Sequence, residues 1–185
     1  MTALAPPTTN GIALALRRLY LARFGFAVVW AGLLFATKSD LGPVSIALLV
    51  LYPLFDVAAA VVDARSAAAG QARGLHVNIA ISLLAAVGVA LACSSGVPDV
   101  LRAWGAWAIA SGLVQLVVGV SRRGMGGQWP MILSGGISVP AGASFIAAAS
   151  AADPSLAALS GYAVLGGVFF LLSALRLGRA AGQDL

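Results

Sequence analysis

Apolar residues run through the chain in six long stretches, each closed by a short segment rich in polar residues, proline or glycine. No stretch alternates polar and apolar positions with a period of two, which excludes half-exposed strands and a lipid-embedded barrel. A helix needs about 20 apolar residues to cross a bilayer, and each stretch has about that length. The pattern therefore predicts an all-α, polytopic membrane bundle of six transmembrane helices at about 20–37, 42–62, 75–94, 100–120, 128–150 and 156–177. The connecting segments are too short to carry a strand of chain back across lipid, so each span is expected beside its predecessor.

Residues 1–19 read as an N-terminal tail with a short interfacial or helical lead-in at 12–16, and 180–185 as a C-terminal tail. Basic residues follow the first short apolar run instead of preceding it, an order unlike that of a cleavable signal peptide. Pro53 and Pro140 fall inside spans, where a missing N–H is expected to bend the helix. Pro43 and Pro130 fall in first turns, where proline costs little.

Composition narrows the class. Hydrophobic residues make up 61% of the 185 positions and charged residues 9%, with a mean hydropathy of +0.98. A soluble domain carries about 25% charged residues, so the chain belongs in lipid, its first partner. The net charge of +5 comes from eleven basic residues spread between spans, not gathered in a stripe, which argues against nucleic acid as a partner. Their placement instead predicts orientation. Arg17, Arg18, Arg23, Arg65, Arg73, Arg122, Arg123, Arg176 and Arg179 flank one side of the spans, and Lys38 and Arg102 the other. By the positive-inside rule both termini of this multi-pass protein are expected to face the cytoplasm. Asp40, Asp99 and Asp153 lie on the opposite side near helix starts, where a carboxylate can cap.

The even-numbered spans also share a register. Tyr52, Trp107 and Tyr162 recur at an interval of 55 residues, and each helix then ends in arginine, at Arg65, Arg122 and Arg176. Gly32, Gly88 and Gly142 recur more loosely in the odd spans. Three parallel helical-hairpin repeats describe this economically, a topology unlike the inverted repeats of many secondary transporters. Ser134, Ser138 and Gly142 form a ridge of small residues, and Gly161, Gly166 and Gly167 a second small surface. Both suit close helix packing, within the chain or in a homo-oligomer.

Few residues are candidates for chemistry. Asp56 is the one carboxylate well inside an apolar run, where an ion needs a partner or water. Asn78, Gln115 and Tyr52 lie at similar depth and reach Asp56 if their helices adjoin; His76, the sole histidine, sits at the mouth of the third span. These five form a candidate polar cluster, either a structural hydrogen-bonded knot or a solute or proton site. Trp104, Trp107 and Trp129 lie near span ends, as interface anchors do, and Trp30 lies deeper. Cys93 has no second cysteine to pair with. The chain has no HExxH, CxxC, phosphate loop or nucleophile elbow, so no catalytic residue, metal site or cofactor is expected, and no enzymatic activity.

The stretches WGAWAIASGLVQLVVGVSRR, QWPMILSGGISVPAGASF and GYAVLGGVFFLLSALRLGR resemble the small bacterial inner-membrane family typified by the HdeD acid-resistance protein. The resemblance covers most of residues 20–179, and the second span departs from it, with YPLFD where the later even spans read WAIAS and YAVLG. It implies a cytoplasmic-membrane protein of unestablished molecular activity, associated in some members with acid or general stress. Two functions remain open at this point: a structural or stress-associated membrane protein, and a small-solute or proton transporter using Asp56.

Overall fold

The computed structural model describes residues 9–37, 41–66, 69–121 and 129–181. These residues form six helices: α1 (Thr9–Ala36), α2 (Pro43–Ser66), α3 (Ala69–Ala92), α4 (Val97–Ser121), α5 (Trp129–Ala148) and α6 (Ala157–Ala181). Each is long and apolar enough to cross a membrane. The first departs most from its expected bounds, because α1 starts at Thr9 and carries residues 9–19, read above as a tail, as continuous helix. Gly11 lies in the first turn, where it costs the helix little; beyond it the stretch to Tyr20 holds no proline or glycine, and its Ala, Leu and Arg residues favour helical backbone. Pro43 opens α2 and Pro130 lies in the first turn of α5, while Pro53 and Pro140 sit inside their helices.

Every helix touches the one before it and the one after it, and α6 returns to α1, so the six close into a ring. The ring's contacts alternate. Packing is extensive between α4 and α5, α1 and α6, and α2 and α3, and slighter between α3 and α4, α1 and α2, and α5 and α6. The most intimate pairs are therefore offset by one helix from the hairpins marked by the sequence period.

The α4–α5 seam explains its own tightness. Gly105, Gly112 and Gly119 on α4 and Gly135 and Gly142 on α5 are spaced by seven residues, two helical turns, and so share one face of each helix. A Cβ on Gly105 would stand 2.5 Å from the Gly142 carbonyl oxygen, and one on Gly142 2.5 Å from the Gly105 oxygen. Gly112 and Gly135 face each other in the same reciprocal way. Only hydrogen fits there, and the two backbones gain the close contact that holds helices together where lipid is as apolar as the side chains. Ser138 joins this seam against Gly112, but Ser134 does not. The second small surface is divided as well: Gly167 packs on Phe24 and Ala27 of α1, whereas Gly161 and Gly166 have open space.

The arginine-rich end of the ring holds the start of α1 and the end of α6, with Gly178 beside Arg17, and the start of α3 beside the end of α4, with Gly74 against Val118. Lys38, Asp40, Arg122 and Arg123 lie outside the described residues, as do 1–8 and 182–185.

At the opposite end the interior is solid. Trp30, Leu34, Leu49, Val89, Val100, Leu101, Trp104, Leu156 and Leu159 are at most 1% exposed and pack as one cluster. Trp30 stacks on Trp104 with ring centroids 5.4 Å apart, and its indole N–H donates to the Leu48 carbonyl at 2.6 Å, tying α1 to α2. Trp104 is thus a core residue and not an interface anchor; Trp129, 69% exposed, keeps the anchor position. At this end α3 turns into α4 through Gly96, whose φ of 105° is the left-handed conformation that glycine adopts freely. Asp99 pairs with Arg102 in the first turn of α4, while Ser155, not Asp153, accepts the Ala157 N–H at the start of α6.

Candidate functional site

Below this plug the ring encloses a cavity of about 550 Å³ that extends toward the arginine-rich end. Its deep end is bordered by Tyr52, Trp107 and Tyr162, the three aromatic residues of the 55-residue period. One turn further along the same helices, Asp56, Ser111 and Gly166 line it, followed by Ala60, Gln115 and Phe170. Positions 55 residues apart on α2, α4 and α6 thus face one space, with different chemistry on each helix.

Asp56 is the centre of the polar lining. The Arg23 guanidinium on α1 donates to Asp56 Oδ1 in a salt bridge, with the two side chains 13% and 15% exposed. On α3, Asn78 Nδ2 donates to Oδ2 at 2.8 Å and Ser82 Oγ donates to the same oxygen at 2.9 Å. Asn78 and Ser82 are four residues apart, so one helical face presents both. Trp107 Nε1 on α4 donates to Ser82 Oγ at 3.2 Å, extending the chain of bonds to a fourth helix. Three donors on one carboxylate, one of them cationic, suit the ionised acid and offset the cost of taking it out of water. Arg23 also lies over the Phe170 ring, 4.1 Å from its centroid, so it is held between a carboxylate and an aromatic face.

Across the cavity Ser138 and Tyr162 share a hydrogen bond of 2.8 Å, and Ser138 also donates to the Ser134 carbonyl. On α4, one turn apart, the Ser111 hydroxyl and Gln115 Oε1 are buried without a hydrogen-bond partner. Buried polar atoms are seldom left so, and both residues line the cavity. Asp63, two turns beyond Asp56 on α2, lines the cavity toward the arginine-rich end and forms no salt bridge among the described residues.

Of the five residues singled out in the sequence, Asp56, Asn78, Gln115 and Tyr52 line this one cavity. Asn78 alone of the three companions bonds Asp56 directly. His76 does not line it: two residues before Asn78, it is turned by roughly 200° around the helix and is exposed. The residues that pattern reading missed are Arg23, Ser82, Trp107, Ser111 and Tyr162. Arg23 fits the orientation pattern as a flanking arginine, yet its position inside the apolar stretch, 55 residues before Asn78, is a usable signal of a second role.

No group of three or more His, Cys, Asp or Glu side chains that could hold a metal ion occurs among the described residues. Cys93, just past the end of α3, is half-buried and unpaired, and burial pushes its thiol up from the ordinary range. Comparison with known proteins adds no relative: no family model matches the chain, and no curated protein or solved structure matches it either.

Proposed function

We propose that the protein is a small-solute transporter of the bacterial cytoplasmic membrane, with both termini cytoplasmic and the cavity as its inward-facing binding vestibule. One observation carries this reading: Asp56, Asn78 and Gln115, from three helices, line a single cavity that is blocked at its other end by packed side chains. About 550 Å³ lies within the range of small-molecule sites, which are mostly apolar with a few placed polar groups. The orientation is supported by the eight arginines other than Arg23 that flank one side of the spans. A threefold internal repeat belongs to the same proposal, supported by the equivalent positions of α2, α4 and α6 along the cavity. Purified protein in proteoliposomes should give flux for at least one member of a panel of amines, sugars, amino acids and carboxylates. Asp56→Asn should lower that flux at least tenfold. No flux across the panel, or flux unchanged in Asp56→Asn, removes the mechanism.

A second reading, favoured by the knot of bonds joining four helices at Asp56, is a structural protein associated with acid or envelope stress, in line with the resemblance to the HdeD-like family. A deletion strain with unaltered survival under acid, envelope and osmotic challenge counts against it.

A further inference from the structure

The charge of the cavity differs in sign from that of the chain. The whole sequence carries a net +5, but the formally charged side chains that line the cavity are Arg23, Asp56 and Asp63, one cation against two carboxylates. Arg23 and Asp56 neutralise each other in direct contact. Asp63 is left over, half-buried and without a salt bridge among the described residues. A half-buried carboxylate in the cavity wall with no ion-pair partner among the described residues attracts a cation and repels an anion, and the low-dielectric wall strengthens both effects.

The remaining lining suits the same ligand. Tyr20 and Phe170 stand at the level of Arg23, with centroids 6.0 Å apart, and Tyr52 and Trp107 present further aromatic surface deeper in. The one cation already present, Arg23, is bound by a carboxylate and an aromatic face together, the combination that recognises organic ammonium groups. Gln115 Oε1, an acceptor without a donor, favours a ligand that donates. Anions lack a free cationic group among the described lining residues, since Arg23 is engaged.

We infer that the cavity binds a small protonated organic amine, with its ammonium group drawn to Asp63 and its apolar body lying against the aromatic residues toward Tyr52 and Trp107. This deepens the transporter reading by naming a substrate class, and it assigns a role to a carboxylate that reading does not use.

The test uses the full chain in nanodiscs of phosphatidylcholine, whose headgroup carries no net charge, with binding followed calorimetrically. Three probes share a phenethyl body: phenethylamine, a cation at pH 7; 2-phenylethanol, neutral; and 3-phenylpropionate, an anion. Phenethylamine is expected to bind at least tenfold more tightly than 3-phenylpropionate, and Asp63→Asn to bring its affinity down about tenfold, to that of 2-phenylethanol. Equal or tighter binding of the anion, absence of amine binding, or an amine affinity unchanged in folded Asp63→Asn overturns the inference. Should Asp63→Asn fail to fold, the three-probe comparison on the unmodified protein decides. Amine binding without flux in proteoliposomes leaves the site standing and removes the transporter reading. Flux of neutral or anionic solutes that Asp56→Asn abolishes, with no amine binding, does the reverse.

Discussion

The two ends of the ring are built from the same six helices, yet one is filled and the other hollow. At the filled end Trp30, Trp104 and the leucines and valines around them pack as one buried cluster. At the hollow end the same helices diverge in content, presenting Arg23, Asp56, Asn78, Gln115 and Asp63 around a cavity. Trp104 and Trp107 show the change within one turn of α4: the first is fully buried in the plug and the second borders the cavity, their rings 5.0 Å apart. Burial in this protein is set by depth along the helix as much as by face. The difference also separates tasks, since the plug gives the ring a fixed cross-section against which the polar half can be arranged.

That contrast can be broken first at the two tryptophans. Trp104→Ala should cost about 3–5 kcal/mol, the range for emptying a packed aromatic site, while Trp107→Ala, which already borders a cavity, should cost less than about 2 kcal/mol. Unfolding midpoints in detergent compare them, and equal losses would mean that the ends do not differ in packing. Arg23→Ala leaves Asp56 buried without its cation and should cost about 3 kcal/mol, whereas the paired change Arg23→Met with Asp56→Leu should recover most of it. The same unfolding measurement checks this, and a double variant no better than Arg23→Ala would show that the pair is needed for more than mutual neutralisation. Gly105→Ala pushes a methyl group against the Gly142 carbonyl and should cost about 1–3 kcal/mol, while Gly88→Ala, with open space, should be neutral or stabilise by up to about 1 kcal/mol. Trp30→Phe keeps an aromatic ring in the plug but loses the bond to the Leu48 carbonyl, for about 1 kcal/mol. The smallest effect concerns chemistry alone. Because burial raises the Cys93 thiol, little of it is thiolate at pH 7, and maleimide labelling in folded protein should be slow there and speed up toward pH 9 more steeply than for an exposed cysteine.

Sequence and structure agree best where lipid imposes the rule. Six spans are legible because only long apolar helices satisfy their backbone in a bilayer. The inward faces are harder to read, since residues packed inside and residues facing lipid are both apolar, and a helix in such surroundings has no marked polar side. Val117 and Leu84 are exposed while Val89 and Leu101 are buried, and nothing in their chemistry distinguishes them. Polar residues supplied the exception, which is why Asp56, Asn78, Gln115 and Tyr52 were found together. His76 shares the depth of the cluster near the start of α3, but helical phase turns it away from the cavity. An arginine near a span end satisfies the orientation rule by itself, so that rule does not separate Arg23, a partner of Asp56, from arginines that only flank the spans. The glycines divided for a related reason: Gly32 and Gly88 share the loose period with Gly142, but only Gly142 has a helix close enough to need it.

The return of α6 to α1 has a consequence for synthesis. Helix α1 is made before α6, its most extensive partner among the six, so the face of α1 that carries Phe24 and Ala27 lacks that cover until Gly167 arrives. Both α2 with α3 and α4 with α5 can join as soon as they are made, but the cavity has no complete wall before α6 is inserted. A ribosome stalled before α6 would leave an open crescent in the membrane, with Arg23 and Asp56 in place and Phe170 missing from beside them.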